Sequence, residues 1–351
     1  MFLRLQGLLV LRAVSIIGMR NNKFGRTSMI RRHSFASAVI AGLLTLCTPA
    51  LAEYPDRPIT MIVPFAPGGP SDIIARILST FMPMSLGQAL VVENRGGAAG
   101  NIGMGQAAHA KPDGYTILMT STAISVNTAL FKNLPYDPIK DFIPISELVN
   151  APNVLVVRPD SGINTVADLV ARVKAAPGTF SYGSPGAGTK SHLTGEQLKL
   201  RAGIDMVHVP FRGAGPAAQA VLAGQLQVAS VALAAAEPLI KSGDLKALAV
   251  TGEKRWFSLP DVPTMIESGY PNFVSDTFNA LFVPTGTPQD ALDLLTKASQ
   301  SAMRRPEALE AARKAGFEVV AGTREQLARR VAAEIDGVRE LVARAGIKTE
   351  N

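Results

Sequence analysis

The 351-residue chain is 47% hydrophobic and 18% charged, which supports a folded core, excludes a disordered chain and, by length, predicts about two domains. Its formal charge of +7 comes from residues 1–52, which hold seven of the 35 Lys and Arg and no acid; the other 28 bases are matched by 28 acids, which excludes the basic footprint of a nucleic-acid binder. Cys47, the single cysteine, also lies in that segment, so the rest of the chain carries no disulfide and no cysteine-based metal site.

In chain order, the leader comes first. Met29-Ile-Arg-Arg-His33 is a charged segment, Phe35 to Leu46 an apolar one, and Thr48-Pro-Ala-Leu-Ala52 places Ala50 and Ala52 at the small positions of a cleavage site. This is the three-part secretory signal, too short for a good membrane span. It predicts export, cleavage after Ala52 and translation from Met29, with residues 1–28 an upstream extension. Arg31-Arg32 is ordinary for such a segment, and Leu46 stands where a lipid-anchoring motif before Cys47 needs a small residue. No later segment approaches 18 uninterrupted apolar residues, so the mature protein is expected to be soluble.

From Glu53 onward one unit recurs: an apolar run, a Gly/Ser/Pro turn, then helical spacing. Ile59 to Phe65 reads as a buried strand, Ala66-Pro-Gly-Gly-Pro-Ser71 as its turn and Asp72 to Phe81 as a helix. Ala89 to Glu93 and Tyr115 to Thr120 are further strands, with a helix through Ala110 between them. Val154 to Val157, Thr179 to Tyr182, Met206 to Phe211, Val228 to Leu233 and Leu245 to Val250 continue the strands. Helices are expected from Thr165 to Ala175, up to Arg201 and up to Ala223, and the tail from Pro288 to Ile347 reads as mostly helical. Alternating strands and helices predict mostly parallel sheets flanked by helices, in two lobes.

Ligands of open α/β sheets sit beyond the carboxyl ends of the strands. Two turns there open helices, Phe65 to Asp72 and Ser184 to His192. Their glycines (Gly68, Gly69, Gly186, Gly188) permit close backbone approach, and a helix N-terminus offers free N–H groups to an anion. Ser71, Thr120, Ser121, Ser184 and Thr189 add hydroxyls. His192 borders the second turn, and Arg212 can pair a carboxylate. Arg212 reads equally as a surface or interlobe salt bridge, Asp72 as a first-turn helix residue, and Phe278 as core. Enzyme signatures fail. Thr189 separates Gly188 from Lys190 and breaks the phosphate-loop spacing. Gly103-Met-Gly105-Gln-Ala-Ala108 does not directly follow a strand, and no G-x-S-x-G elbow occurs. His109, His192 and His208 lack metal-ligand spacing, so no cofactor or metal is expected.

Several ordered motifs resemble one family. Tyr54-Pro-Asp-Arg-Pro-Ile59, Val63 to Asp72, Val92 to Gly103, Pro112-Asp-Gly-Tyr-Thr116, Tyr182 to Thr189 with His192, His208 to Gly213, Leu259 to Thr264 and Pro284 to Pro288 are similar to those of the Bug family, the solute receptors of tripartite tricarboxylate transporters. The resemblance covers nearly everything from Glu53. It implies the two-lobed periplasmic-binding-protein (type II, flytrap) fold, with lobe 1 at 53–155 plus 276–351 and lobe 2 at 156–275, closing by hinges near 150–157 and 268–278. It also implies a site at Phe65, Ala66, Gly68, Gly69, Ser71 and Asp72; at Thr120, Ser121, Thr122 and Ala123; at Ser184, Gly186, Gly188, Thr189 and His192; and at Arg212 and Gly213. The implied ligand is a dicarboxylate, tricarboxylate or aromatic acid, bound by a periplasmic monomer and passed to a membrane permease. Ala220, and the stretch Val228 to Leu233, lack acids that some members carry, which favours a ligand without an amino group. A ligand-sensing receptor subunit and a hydrolase using Ser184 and His192 are the competing readings.

Overall fold

A computed structural model describes residues 54–347; the expected secretory leader, the expected cleavage after Ala52 and Met29 lie outside the described residues. Strands β1 (Ile59–Val63), β2 (Leu90–Asn94) and β3 (Thr116–Ser121) run parallel with β1 in the middle. Helices α1 (Pro70–Phe81), α2 (Pro83–Leu86) and α3 (Asn101–Ala108) connect them. In α1, Ile74, Ile77 and Leu78 share the buried face, and Pro70 stands at the helix start, where its missing N–H goes unneeded. α4 (Ala123–Leu130) follows β3.

The next strand, β4 (Phe142–Val157), has 16 residues and belongs to two sheets. From Phe142 to Pro152 it pairs antiparallel with β9 (Asp276–Pro284), which also lies antiparallel to β3. Its last residues, from Asn153 or Val154 to Val157, pair antiparallel with β7 (Val228–Ala232) and β8 (Lys246–Val250). The second sheet continues through β5 (Ser181–Ser184), parallel to both β7 and β6 (Val207–Pro210). Its helices are α5 (Val166–Ala175), α6 (Lys190–Ala202), α7 (Ala214–Leu222) and α8 (Leu233–Lys241). The Thr165–Asp168 capping box opens α5. The chain ends in α9 (Gln289–Met303), α10 (Pro306–Lys314), the two-residue β10 (Glu318–Val319) and α11 (Arg324–Ala345).

Both faces of each sheet are covered, as parallel strands require. On the first sheet, Met61, Val63, Ile74 and Leu78 pack with Leu295 and Ala298 of α9. Its other face packs Ile62, Leu118 and Phe278 against Leu327, Val331 and Ile335 of α11. Val154, Val156, Val221 and Trp256 form one core of the second sheet, and Leu155, Val157, Leu169, Leu198 and Phe273 the other. A smaller cluster joins elements of both sheets: Val126 and Leu130 of α4, Leu193 of α6, and Val338 and Val342 of α11.

The strands and helices expected from the sequence are present, with ends shifted by a residue or two. Two additions matter. Phe142 to Pro152 and Asp276 to Pro284 are strands without a clean two-residue alternation, because polar residues on them are buried by distant partners. Glu147 is 5% exposed and paired with Arg330 of α11, which also bonds Asp276 at 2.7 Å.

Candidate functional site

The carboxyl end of β1, the start of α4 and the start of α6 meet around a cavity of about 510 Å³. Of the residues expected at a site, Phe65, Ser121, Thr122, Ala123, Gly188 and Thr189 line it. Elements from both sheets therefore form one wall, to which the first Gly-rich turn contributes Phe65 alone.

The backbone supplies anion-binding donors. At α6, Thr189 caps the helix through its Oγ1, which accepts from the His192 amide, and its carbonyl accepts from Leu193. The amides of Lys190 and Ser191 have no partner among the described residues. At α4, Ser121 Oγ accepts from the Ala123 amide at 3.3 Å. The hydroxyls of Thr122 and Thr277, both on the wall, make no side-chain hydrogen bond among the described residues. Unpaired amides at a helix start carry partial positive charge and suit a carboxylate.

The other expected residues stand behind the wall and fix it. Ser71 is buried and its Oγ donates to Asn279 Oδ1 at 2.6 Å. Asp72 is buried; its Oδ2 accepts from the Gly68 amide and Arg76 Nε, and its Oδ1 from Asn94 Nδ2. Burial pulls the Asp72 carboxyl upward, but those hydrogen bonds outweigh it and hold it below the usual carboxylate range. Asn94 Nδ2 also donates to the Phe65 carbonyl, so Asp72 and Asn94 together set the turn that carries Ala66, Gly68 and Gly69. Thr120 is fully buried, its hydroxyl directed at Met104 Sδ 3.5 Å away.

In the second turn, His192 Nδ1 accepts from the Gly188 amide at 3.0 Å. Its ring stacks on His208 at 3.9 Å between centroids, and His208 Nε2 lies 2.7 Å from Ser184 Oγ. Burial, His192 and Lys199 push His208 down to about 4, and burial likewise lowers His192, so both are neutral at neutral pH. Ser184 is 0% exposed and its Oγ also bonds the Gly186 carbonyl, which makes the trio a brace for the turn. Arg212 is exposed with no ion pair among the described residues, in the turn where the Gly213 amide bonds the Pro185 carbonyl at 3.0 Å; neither residue lines the cavity.

The wall contains residues the sequence did not single out. Val126, Asn127 and Leu130 follow Ala123 along one face of α4, a helical spacing that the sequence displays. Lys190 and Ser191 adjoin the expected turn. Thr277 of β9 and Ile347, past the end of α11, reach the wall only through tertiary packing. Ala99 has a left-handed backbone (φ 53°), and its carbonyl accepts from Asn127 Nδ2 at 3.1 Å. Ala220 packs in the core of the second sheet, so its identity does not reach the cavity. Among the described residues no group of His, Cys, Asp and Glu is placed to hold a metal, and no helix is long and apolar enough to cross a membrane.

The profile of the tripartite tricarboxylate transporter family receptors matches residues 74–347. The chain is 36% identical over 306 residues to the protein BugT of Bordetella pertussis, spanning 86% of this chain and 94% of that one. It is similar to the solved periplasmic binding protein BugD (TM-score 0.71, 37% identity, 85% of this chain and 100% of that one). It is also similar to an R. palustris protein solved with adipate (TM-score 0.74, 30% identity, 85% and 100%). The fold is thus the α/β periplasmic-binding-protein fold expected from the motifs.

Proposed function

We propose, on the premise that this chain belongs to the tripartite tricarboxylate transporter family of receptors, that it captures a small organic carboxylate without an amino group in the periplasm and delivers it unchanged to a membrane permease. The chain is a solute-binding protein; the ligand class, the partner and the lack of catalysis are what we add. One observation carries the reading: a cavity between the two sheets has unpaired amides of Lys190 and Ser191, with the hydroxyls of Thr122 and Thr277, on its wall. Among the described residues that wall holds no carboxylate, so a ligand ammonium finds no counter-charge. The adipate held by the R. palustris relative is of the same chemical class.

Capture works by closure. Among the described residues, 54–155 with 276–347 act as one lobe and 156–275 as the other, hinged near 150–157 and 268–278. Asn153 sits at the crossing: its backbone N–H donates to Thr251 Oγ1, and its Nδ2 donates to the Ser275 carbonyl, both at 2.9 Å. Ser191, on the cavity wall, donates to Asn153 Oδ1 at 2.6 Å, so site and hinge share a hydrogen bond.

A thermal-shift screen of the purified protein against carboxylates and amino acids tests the reading. A bound carboxylate at a hundred times its Kd is expected to add about 2.7 kcal/mol of stability, with the ligand recovered intact. Stabilisation by aspartate or glutamate with none by plain carboxylates sinks it.

A further inference from the structure

Residue 190 is tied to both halves of the molecule. Its backbone N–H is one of the unpaired donors at the start of α6, on the cavity wall, while its ammonium is paired with Glu334 of α11. α6 belongs to the second sheet, where Leu198 enters the core; α11 covers the first sheet with Leu327, Val331 and Ile335. Of the ion pairs among the described residues, this is the one that joins the two halves. A second cationic contact across them, Arg313 over the Phe257 ring at 5.7 Å, is made by two exposed residues.

The contact is separable. Lys190 and Glu334 both line a groove of about 300 Å³ between α6 and α11, and a Cβ added at Gly337 of α11, on the same groove, would meet nothing within 4 Å. The two helices are therefore not packed tightly beside the pair; Leu193, with Val338 and Val342, supplies the apolar contact next to it. Only 12% and 15% of the Lys190 and Glu334 side chains are exposed, so salt screens the pair little. Its net worth is nonetheless modest, because both charges gave up water to form it and regain water when the helices part. A contact of that kind biases an equilibrium without freezing it.

We infer that the Lys190–Glu334 pair is an interlobe latch: it stabilises the closed arrangement and holds the Lys190 amide over the ligand. The inference rests on the capture-by-closure reading above. In Glu334→Gln the ammonium is enclosed and unpaired in the closed arrangement alone. Opening relieves that loss, and the population competent to bind falls.

Distances between paired nitroxide labels test it on the purified protein, without ligand. Val91 and Val207 are exposed, on β2 and β6, the strands at opposite ends of the strand order. Cys47 lies in the expected leader and no cysteine follows it, so Val91→Cys with Val207→Cys gives one labelled pair that reports the angle between the lobes. Glu334→Gln is expected to raise the long-separation population about tenfold, and the exchanged pair, Lys190→Glu with Glu334→Lys, to return it to the parent level. A purely structural role would lower the urea midpoint and leave the distances unmoved. A wedge serves as control: a Cβ on Gly188 would lie 2.5 Å from Leu130 Cδ1 of the other lobe, so Gly188→Trp forces the lobes apart whatever the latch does. If the wedge lengthens the separation and Glu334→Gln does not, or if the exchanged pair stays open, the latch is overturned and closure stands. If neither Gly188→Trp nor Glu334→Gln changes the distances, latch and closure fall together.

Discussion

Ser121 and Thr120 are neighbours in one Thr-Ser-Thr run, yet they have opposite fates. Thr120 points into the core at Met104, while Ser121 and Thr122 face the cavity. The sequence marks this run as polar and as the end of a strand; which hydroxyl faces outward depends on the register of β3 and on the turn into α4. His192 and His208 illustrate the same limit. The sequence places one near a Gly-rich turn and the other in an apolar strand, and only folding stacks them. Their depressed proton affinity has a consequence. His208 falls from an ordinary 6.5 to about 4, so between those pH values the unfolded chain binds a proton that the folded chain refuses. Stability from this source is complete above about pH 6.5 and is lost as pH falls toward 4. Urea midpoints are expected to drop from pH 7 to pH 5, and to drop less in His208→Gln; equal slopes in the two proteins would contradict the brace.

At the scale of an element, α6 is the instructive case. Its sequence, KSHLTGEQLKLRA, carries Gly195 in the helix interior, where glycine ordinarily weakens a helix by about 1 kcal/mol relative to alanine. Packing reverses that preference. A Cβ at Gly195 would lie 2.1 Å from Tyr182 Cε2, and the Tyr182 ring is held by its hydroxyl, which donates to Glu196 Oε1 at 2.6 Å. Gly195→Ala is therefore expected to destabilise the protein by about 1–3 kcal/mol, as overpacking does, measured by urea unfolding; a neutral or stabilising result would show that Tyr182 yields freely. The helix itself is legible in the sequence, from its Thr189 cap to Gly203, left-handed at φ 59°. The close approach to β5 that demands Gly195 is not, because no local pattern records the distance between a helix and a strand.

For the whole molecule, α11 matters most. It covers the first sheet with Leu327, Val331 and Ile335, meets α6 of the second through Val338, Val342 and Leu193, and holds Lys190 by Glu334. Removing the carboxylate leaves an enclosed ammonium unpaired, so Glu334→Gln is expected to lower stability by about 1–3 kcal/mol, between the worth of an exposed pair and that of a buried one. The loss is read from urea midpoints, and an unchanged midpoint would show that the Lys190–Glu334 pair adds nothing to the fold.

The amino-acid sequence by itself determined the repeating strand–turn–helix order, the two Gly-rich helix starts, the neutral charge of the chain after residue 52 and, through its motifs, the family. These are properties of short stretches: periodicity, turn chemistry and capping act over a few residues. The tertiary structure decided what local patterns cannot carry. It made strands of Phe142–Pro152 and Asp276–Pro284 by pairing them with each other and burying Glu147 against Arg330. It also brought Thr277 and Ile347 to a wall begun by Phe65 and Thr122. A cavity is the space left between packed elements, and its polarity is set by side chains that meet only after the chain has crossed between the sheets.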